Sequence, residues 1–146
     1  MGWGSALQGN GIINACIISW VIAQFIKSLY DYFTQKRIDI KRFIFGAGGM
    51  PSSHSSSVVT LAIMVMRMCG AESVEFAISV IFAAVVMYDA SGVRRAAGEH
   101  ARIINVLIEK WENPEIRDAN LKELLGHTPF QVIAGAFIGC VVGFLY

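Results

Sequence analysis

The chain alternates long apolar stretches with short polar segments, and three of the apolar stretches contain no Asp, Glu, Lys or Arg. These runs cover residues 1–26, 43–66 and 124–146, which is 26, 24 and 23 residues. A helix needs ~20 mostly apolar residues to cross the hydrocarbon core of a bilayer. The pattern therefore predicts an all-α fold, a polytopic membrane helical bundle that forms a single domain over residues 1–146.

Clusters of glycine, proline and serine interrupt the apolar pattern and define the predicted helices. Those helices cover residues 11–33, 51–69, 73–88, 93–112, 115–125 and 129–146. The first, second, third and last are expected to span the membrane. The third predicted span has the shortest uncharged stretch. Its 13 residues cover only ~20 Å at ~1.5 Å per residue, less than the ~30 Å hydrocarbon core of a bilayer. Helix 93–112 is amphipathic, which is typical of a membrane surface, and helix 115–125 is short and polar.

Composition and charge exclude several classes of protein. Apolar residues make up 55% of the chain and charged residues 16%, with a net charge of +1 and a mean hydropathy of +0.54. This excludes a disordered chain and a nucleic-acid-binding protein, which needs a basic surface. The three cysteines and three histidines follow no metal-binding spacing, so neither a metal nor a cofactor is expected.

The basic residues are concentrated in two connections. Eleven of the 12 Lys and Arg residues fall late in the first predicted helix, after it, or after the third, and the exception is Arg67. With four spans both connections lie on one side of the membrane, and the excess of cations on cytoplasmic loops identifies that side. We therefore expect a protein of the cytoplasmic membrane with both termini outside and its basic connections inside.

The segment 48–54 has the features of an anion site. Gly49 lies in a glycine-rich loop, Ser52 and Ser53 follow at a predicted helix start, and His54 lies in the first turn. Unpaired N–H groups and the positive end of a helix dipole favour bound phosphate there, and Lys41 adds a cation nearby. A plain capped turn with a surface histidine is the alternative interpretation.

Two further segments contribute ionisable residues on the same predicted membrane face. Asp89, Arg94 and Arg95 follow the third helix, and His127 precedes the last. Two histidines with several cations fit phosphoryl transfer, in which one imidazole attacks phosphorus and the other protonates the leaving oxygen. A structural ion pair accompanied by ordinary cytoplasmic cations would explain the second segment equally well.

Three sequence blocks together resemble a known superfamily. They are GGMPSSHS at 48–55, MYDASGVRRAAG at 87–98 and LLGHTP at 124–129. In this order they resemble the divergent branch of the type 2 phosphatidic acid phosphatase and vanadium haloperoxidase superfamily. The resemblance implies a helical membrane protein and a phosphate-ester hydrolase with a phosphohistidine intermediate. By position it makes His127 the nucleophile, His54 the general acid and Lys27 the lysine of the first block.

The chain also departs from the superfamily pattern. It has no Lys-x6-Arg-Pro string, Leu121 stands where the third block has arginine, and Gln131 stands where it has aspartate. Asp89 or Glu123 could replace the missing carboxylate. Arg94 or Arg95 could replace the missing arginine.

The sequence thus predicts a membrane phosphatase that acts on a phosphate monoester or pyrophosphate, carried by a phospholipid or an isoprenyl phosphate. The alternative is a catalytically altered protein that binds anionic lipid head groups or a protein partner. Gly135, Gly139 and Gly143 form a stripe on the last helix that favours close helix packing. The partner of this stripe is either another helix of the same chain or a second copy in a homo-oligomer.

Overall fold

The computed structural model describes residues 10–35, 49–110, 121 and 126–146, and all regular secondary structure in these residues is helical. The prediction of an all-α fold is therefore confirmed. The helices are α1 (Gly11–Gln35), α2 (Ser53–Cys69), α3 (Val74–Ser91), α4 (Val93–Lys110) and α5 (Pro129–Leu145). Two stretches, Gly11–Phe33 and Val74–Lys110, are long and apolar enough to cross a membrane.

Helix α2 lies at the centre of the bundle and packs against α1, α3 and α5. It runs parallel to α5, because Ser52 N–H donates to the carbonyl of Gln131 at one end (3.1 Å) and Arg67 donates to the carbonyl of Gly143 at the other (2.7 Å). Helices α1 and α3 run the opposite way. One end of the bundle, which we call the histidine end, therefore collects the last turns of α1 and α3 and the first turns of α2 and α5.

The centre of the bundle is built from small and hydroxyl-bearing side chains, whereas large apolar side chains face outward. The residues with the largest fully buried side chains are Thr60, Ser19, Ser52, Ser55 and Ser56. Ser19 and Ser56 hydrogen-bond between α1 and α2, and the Thr60 hydroxyl donates to the Gly139 carbonyl on α5 (3.1 Å). This arrangement suits a lipid environment, where helices associate through close contact and hydrogen bonds rather than hydrophobic burial.

The glycine stripe of α5 packs against α2 of the same chain. A Cβ atom at Gly135 would lie 2.2 Å from the Ser52 carbonyl oxygen, and one at Gly139 would lie 2.4 Å from that of Ser56. These contacts allow no side chain in between. Of the two predicted partners of the stripe, the structure shows a helix of the same chain in contact with it.

Helix α2 begins two residues later than the sequence predicts. Ser52 has extended backbone angles and its side chain accepts a hydrogen bond from Ser55 N–H, so Ser52 is the N-cap and Pro51 precedes the helix. At α5 Thr128 is the N-cap, Pro129 begins the helix, and Thr128 and Gln131 form a capping box.

The predicted break at 89–92 is narrower than expected. Asp89, Ala90 and Ser91 continue α3, and only Gly92 separates it from α4. Helical bonding persists at this position. The Ser91 hydroxyl donates a hydrogen bond to the Met87 carbonyl, and Gly92 N–H donates to the Tyr88 carbonyl. The predicted helix 115–125 lies outside the described residues, apart from Leu121, which exchanges two hydrogen bonds with the Asn105 side chain on α4.

Candidate active site

A small pocket opens at the histidine end. Its lining consists of His54, Val86, Asp89, Ala90, Arg94, Gly126 and His127. The pocket has a volume of about 30 Å³, well below the ~300–1,000 Å³ of cavities that enclose a whole small molecule. It has room for only one or two water molecules, so any larger ligand would lie mostly outside it.

His127 is fixed by backbone contacts on both sides. Its N–H donates to the carbonyl of Ala90 at the end of α3 (2.8 Å). The preceding Gly126 has a φ of +85°, and a Cβ there would lie 2.4 Å from the backbone nitrogen of Arg95. Only glycine fits this turn, because it combines a left-handed backbone with direct contact to α4. The side chain that follows is held in a buried position, with His127 5% exposed.

The imidazole of His127 has a defined orientation and tautomer. Its Nδ1 lies 3.0 Å from the carbonyl oxygen of Gly49. A carbonyl can only accept a hydrogen bond, so Nδ1 carries the proton and, in the neutral ring, Nε2 keeps a free lone pair. This leaves Nε2 available to attack an electrophile.

The structure brings His54 close to His127. The ring centroids lie 6.5 Å apart with an angle of 59° between the ring planes. The hydrogen bond from Ser52 N–H to the Gln131 carbonyl (3.1 Å) joins the first turns of α2 and α5, so the two histidines are positioned by linked helix starts. Each helix start also carries a partial positive charge of roughly half a proton.

Three charged side chains surround the histidines. Lys27, near the end of α1, is buried with 3% of its surface exposed, and its Cε lies 2.9 Å from the position of a Cβ on Gly49. Arg94 forms an ion pair with Asp89 (Nε to Oδ2, 2.6 Å). Both members of that pair line the pocket, so the site contains two cations and one carboxylate.

The surroundings keep His127 neutral at physiological pH. Burial lowers the pKa of His127 most, and the positive charges of Lys27 and His54 lower it further. Hydrogen bonds to the Gly49 backbone and the Gln131 side chain oppose this shift. A histidine with a lowered pKa presents the unprotonated ring that nucleophilic attack requires.

The structure places the sequence-predicted phosphate ligands in different situations. Ser52 is fully buried and its hydroxyl accepts from Ser55 N–H and Oγ, so it stabilises the helix start. Ser53 is buried in the first turn of α2. Arg95 does not line the pocket, unlike Arg94. Lys41 and Glu123 lie outside the described residues.

Comparison with known proteins identifies the family of this chain. Residues 8–142 match the model of the divergent PAP2 family. The chain belongs to the divergent PAP2 family. It is also 38% identical over 134 residues to the uncharacterized membrane protein YuiD of Bacillus subtilis (strain 168). The aligned region covers 84% of each of the two chains. No solved structure matches the chain.

The family assignment and the two membrane-length apolar stretches make this a PAP2-like membrane protein. Within it, the carboxylate absent from position 131 has a structural explanation. The Gln131 side chain accepts from Thr128 N–H (3.0 Å) and so completes the α5 cap, while the Gly49 carbonyl holds the imidazole of His127. Of the two predicted substitutes, Asp89 forms an ion pair with Arg94, and Glu123 lies outside the described residues.

Sequence reasoning missed the backbone groups of this site. It assigned Gly49 to phosphate, whereas the Gly49 carbonyl accepts from His127, and it overlooked the Ala90 carbonyl and the tight turn at Gly126. Backbone carbonyls carry no signal in the residue pattern. Gly126, directly before His127, was the detectable clue, because a glycine beside a functional residue often marks a backbone that must pass close to another.

Proposed function

We propose that this protein is a membrane phosphatase that hydrolyses a phosphate monoester or a pyrophosphate on a lipid through a phosphohistidine intermediate. The observation that supports this most is the pair of imidazoles, 6.5 Å apart, one of which is held by the Gly49 carbonyl with Nε2 left free. A structural pair of histidines would not need a pocket with cations around it.

The reaction proceeds in two steps that balance in protons and electrons. In the first, Nε2 of His127 forms a bond to phosphorus, the bond from phosphorus to the ester oxygen breaks, and protonated His54 gives its proton to that oxygen. In the second, neutral His54 takes a proton from water, whose oxygen attacks phosphorus and releases His127. Lys27, Arg94 and the first turns of α2 and α5 stabilise negative charge on the phosphoryl oxygens.

The pocket favours a substrate whose body remains outside. At about 30 Å³ it cannot enclose a whole ligand, so a lipid would remain in the adjacent bilayer and present its phosphate at the mouth of the pocket. The charge distribution supports a cytoplasmic location for the histidine end, since Lys27, Arg94 and Arg95 lie there and Arg67 lies at the opposite end. An excess of basic residues is typical of the cytoplasmic side of a membrane protein.

A second candidate function is the binding of anionic lipid head groups without turnover. In the part of the chain that the structure describes, no carboxylate hydrogen-bonds to His127, and the acceptor at Nδ1 is a neutral carbonyl. Such a site can hold phosphate even if the positive charge that develops on the ring is too poorly stabilised for catalysis.

Phosphate release by the purified protein separates these functions. The substrates are phosphatidic acid, phosphatidylglycerophosphate and isoprenyl pyrophosphates, and the variants are His127→Ala, His54→Ala and His100→Ala. His100 is an exposed histidine on α4 that does not line the pocket, so it serves as the matched control. The proposal predicts that the first two variants lose release at least 100-fold and that the control keeps it, whereas release that survives His127→Ala contradicts the site assignment.

The intermediate can be trapped with labelled substrate and a rapid alkaline quench, which preserves phosphohistidine. Label should appear on His127 in the native protein. With p-nitrophenyl phosphate, whose leaving group needs no acid, label should accumulate in His54→Ala because the second step lacks its base. Binding of phosphatidic acid vesicles with no release and no label would favour the binding protein.

A further inference from the structure

A groove runs along the outer surface between α1 and α2. Its lining consists of Ile12, Ile13, Cys16, Ile17, Trp20, Ser57 and Leu61, and its volume is about 410 Å³. This lies within the range of ~300–1,000 Å³ for cavities that bind small molecules. The groove is open on one side and has room for an alkyl chain to lie along it.

The groove offers its occupant a hydrocarbon surface. Ser57 is the residue of this lining with a hydroxyl group, and that hydroxyl donates to the Ser53 carbonyl one turn earlier (3.0 Å). Its polar atom is therefore satisfied within α2. An apolar chain can lie along this surface without burying the Ser57 hydroxyl unpaired.

The groove leads towards the pocket along both helices. On α2, Leu61 and Ser57 lie on the same helix face as His54, at spacings of seven and three residues, and Leu61 is about 10 Å from His54 along the axis at ~1.5 Å per residue. On α1, Trp20 is seven residues, or two turns, from Lys27, which lies against Gly49 at the histidine end. The same two helix faces thus carry apolar residues first and then residues of the site.

We propose that this groove, hereafter the α1–α2 groove, binds the hydrocarbon chain of a lipid phosphate whose phosphate lies at the mouth of the pocket. The inference rests on the proposed function and adds to it the path of the chain and a dependence on chain length. The occupant is amphipathic because the surface is cationic at Lys27 and apolar from Trp20 to Leu61.

A second apolar concavity lies on α3 and is lined by Ala77, Ile78, Ile81, Phe82 and Val85. It is formed by one helix, and the same face of α3 leads to Asp89, four residues after Val85. Asp89 and Ala90 of α3 line the same pocket, so charge alone does not separate the two surfaces. The α1–α2 groove lies between two helices and leads to Lys27, and the α3 concavity provides a comparison surface for the test.

The test fills each concavity with one aromatic ring. Cys16→Phe occupies the α1–α2 groove, Ala77→Phe occupies the α3 concavity, and Cys16→Ala controls for loss of the thiol. The measurement is kcat/KM for alkyl phosphates from ethyl to dodecyl. Each methylene removed from an apolar site costs roughly fourfold in binding, so displacing two of them predicts a roughly 15-fold loss for dodecyl phosphate with Cys16→Phe.

Ethyl phosphate, which does not reach the groove, should be hydrolysed within twofold of the native rate by all three variants, which also shows that they fold. Ala77→Phe and Cys16→Ala should change neither substrate. Equal losses for ethyl and dodecyl phosphate in Cys16→Phe, or a selective loss in Ala77→Phe, would overturn the proposal while leaving the phosphatase intact.

A binding measurement separates this proposal from the proposed function. Dodecyl phosphate with a diazirine near the end of its chain should crosslink to residues 12–20 and 57–61 in native protein, and excess dodecyl phosphate should compete. Crosslinking there without any hydrolysis would retain the groove and refute the phosphatase. Crosslinking confined to α3, or insensitive to competition, would refute the groove.

Discussion

The turn before His127 permits a quantitative prediction for Gly126→Ala. A Cβ at this position would lie 2.4 Å from the Arg95 nitrogen, whereas ordinary contact begins at 3.4 Å. The contact is with backbone in the first turn of α4, so the turn must move by about 1 Å, the difference between these two distances. A displacement of ~1 Å at a catalytic group can lower the rate about 100-fold, and we expect that loss for Gly126→Ala.

Gly70→Ala is the matched control for this substitution. Gly70 also has a positive φ (+92°), but no atom lies within 4 Å of its Cβ position, and it follows α2 at the end of the bundle opposite the histidines. Both variants place alanine at a positive φ, a backbone conformation that costs roughly 1–3 kcal/mol, so both should lose thermal stability from that source. Phosphate release and thermal unfolding, measured on the same preparations, test the reasoning. If the two variants lose activity equally, the position of the turn before His127 does not control turnover.

Three further predictions concern the charge and packing of the site. Lys27→Met should move the acidic limb of the kcat/KM profile to higher pH, because the Lys27 charge lowers the pKa of His127 and the ring must be neutral to attack. If the acidic limb does not move, a group other than His127 determines its position. Gln131→Glu should move the same limb upward, since a carboxylate beside His127 favours its protonated form, and a downward shift would contradict this. Gly139→Ala should destabilise the protein by ~1–3 kcal/mol because its Cβ would lie 2.4 Å from a carbonyl oxygen of α2. The control is Gly11→Ala, whose nearest neighbour is 4.0 Å away, and its unfolding temperature should equal that of the native protein.

Hydrophobic patterning was sufficient for the fold class and for the side of the bundle on which the histidines lie. Uncharged runs longer than 20 residues admit few structures other than helices in a membrane. The break at 89–92 was overestimated because Asp89 and Ser91 are frequent turn formers, whereas here the Ser91 hydroxyl bonds back to Met87 and the helix continues. Local preference was overridden by side-chain to backbone bonding that the residue types permit but do not require.

The site could be predicted only as a set of side chains. His54, His127, Lys27 and Arg94 follow from motifs and charge, because residue type determines what these groups can do. The role of Gly49 could not be predicted, since its carbonyl is the same as that of every other residue and only the packing of residue 49 against α1 and the ring of His127 gives it a function.

This chain uses the Gly49 carbonyl where the superfamily has a carboxylate, and this difference changes the charge of the site. A carbonyl selects the tautomer of His127 as well as a carboxylate does, but it brings no negative charge to balance the ring when phosphorus is attached. The compensation must then come from the phosphoryl group itself, which is dianionic in a monoester, and from the removal of positive charge as His54 releases its proton. This chemistry favours substrates that retain their negative charge throughout the reaction. Under the proposed function, a chain that lacks the aspartate of its parent superfamily would thus retain a use for both histidines, and for the buried lysine and the arginine that would hold such a substrate.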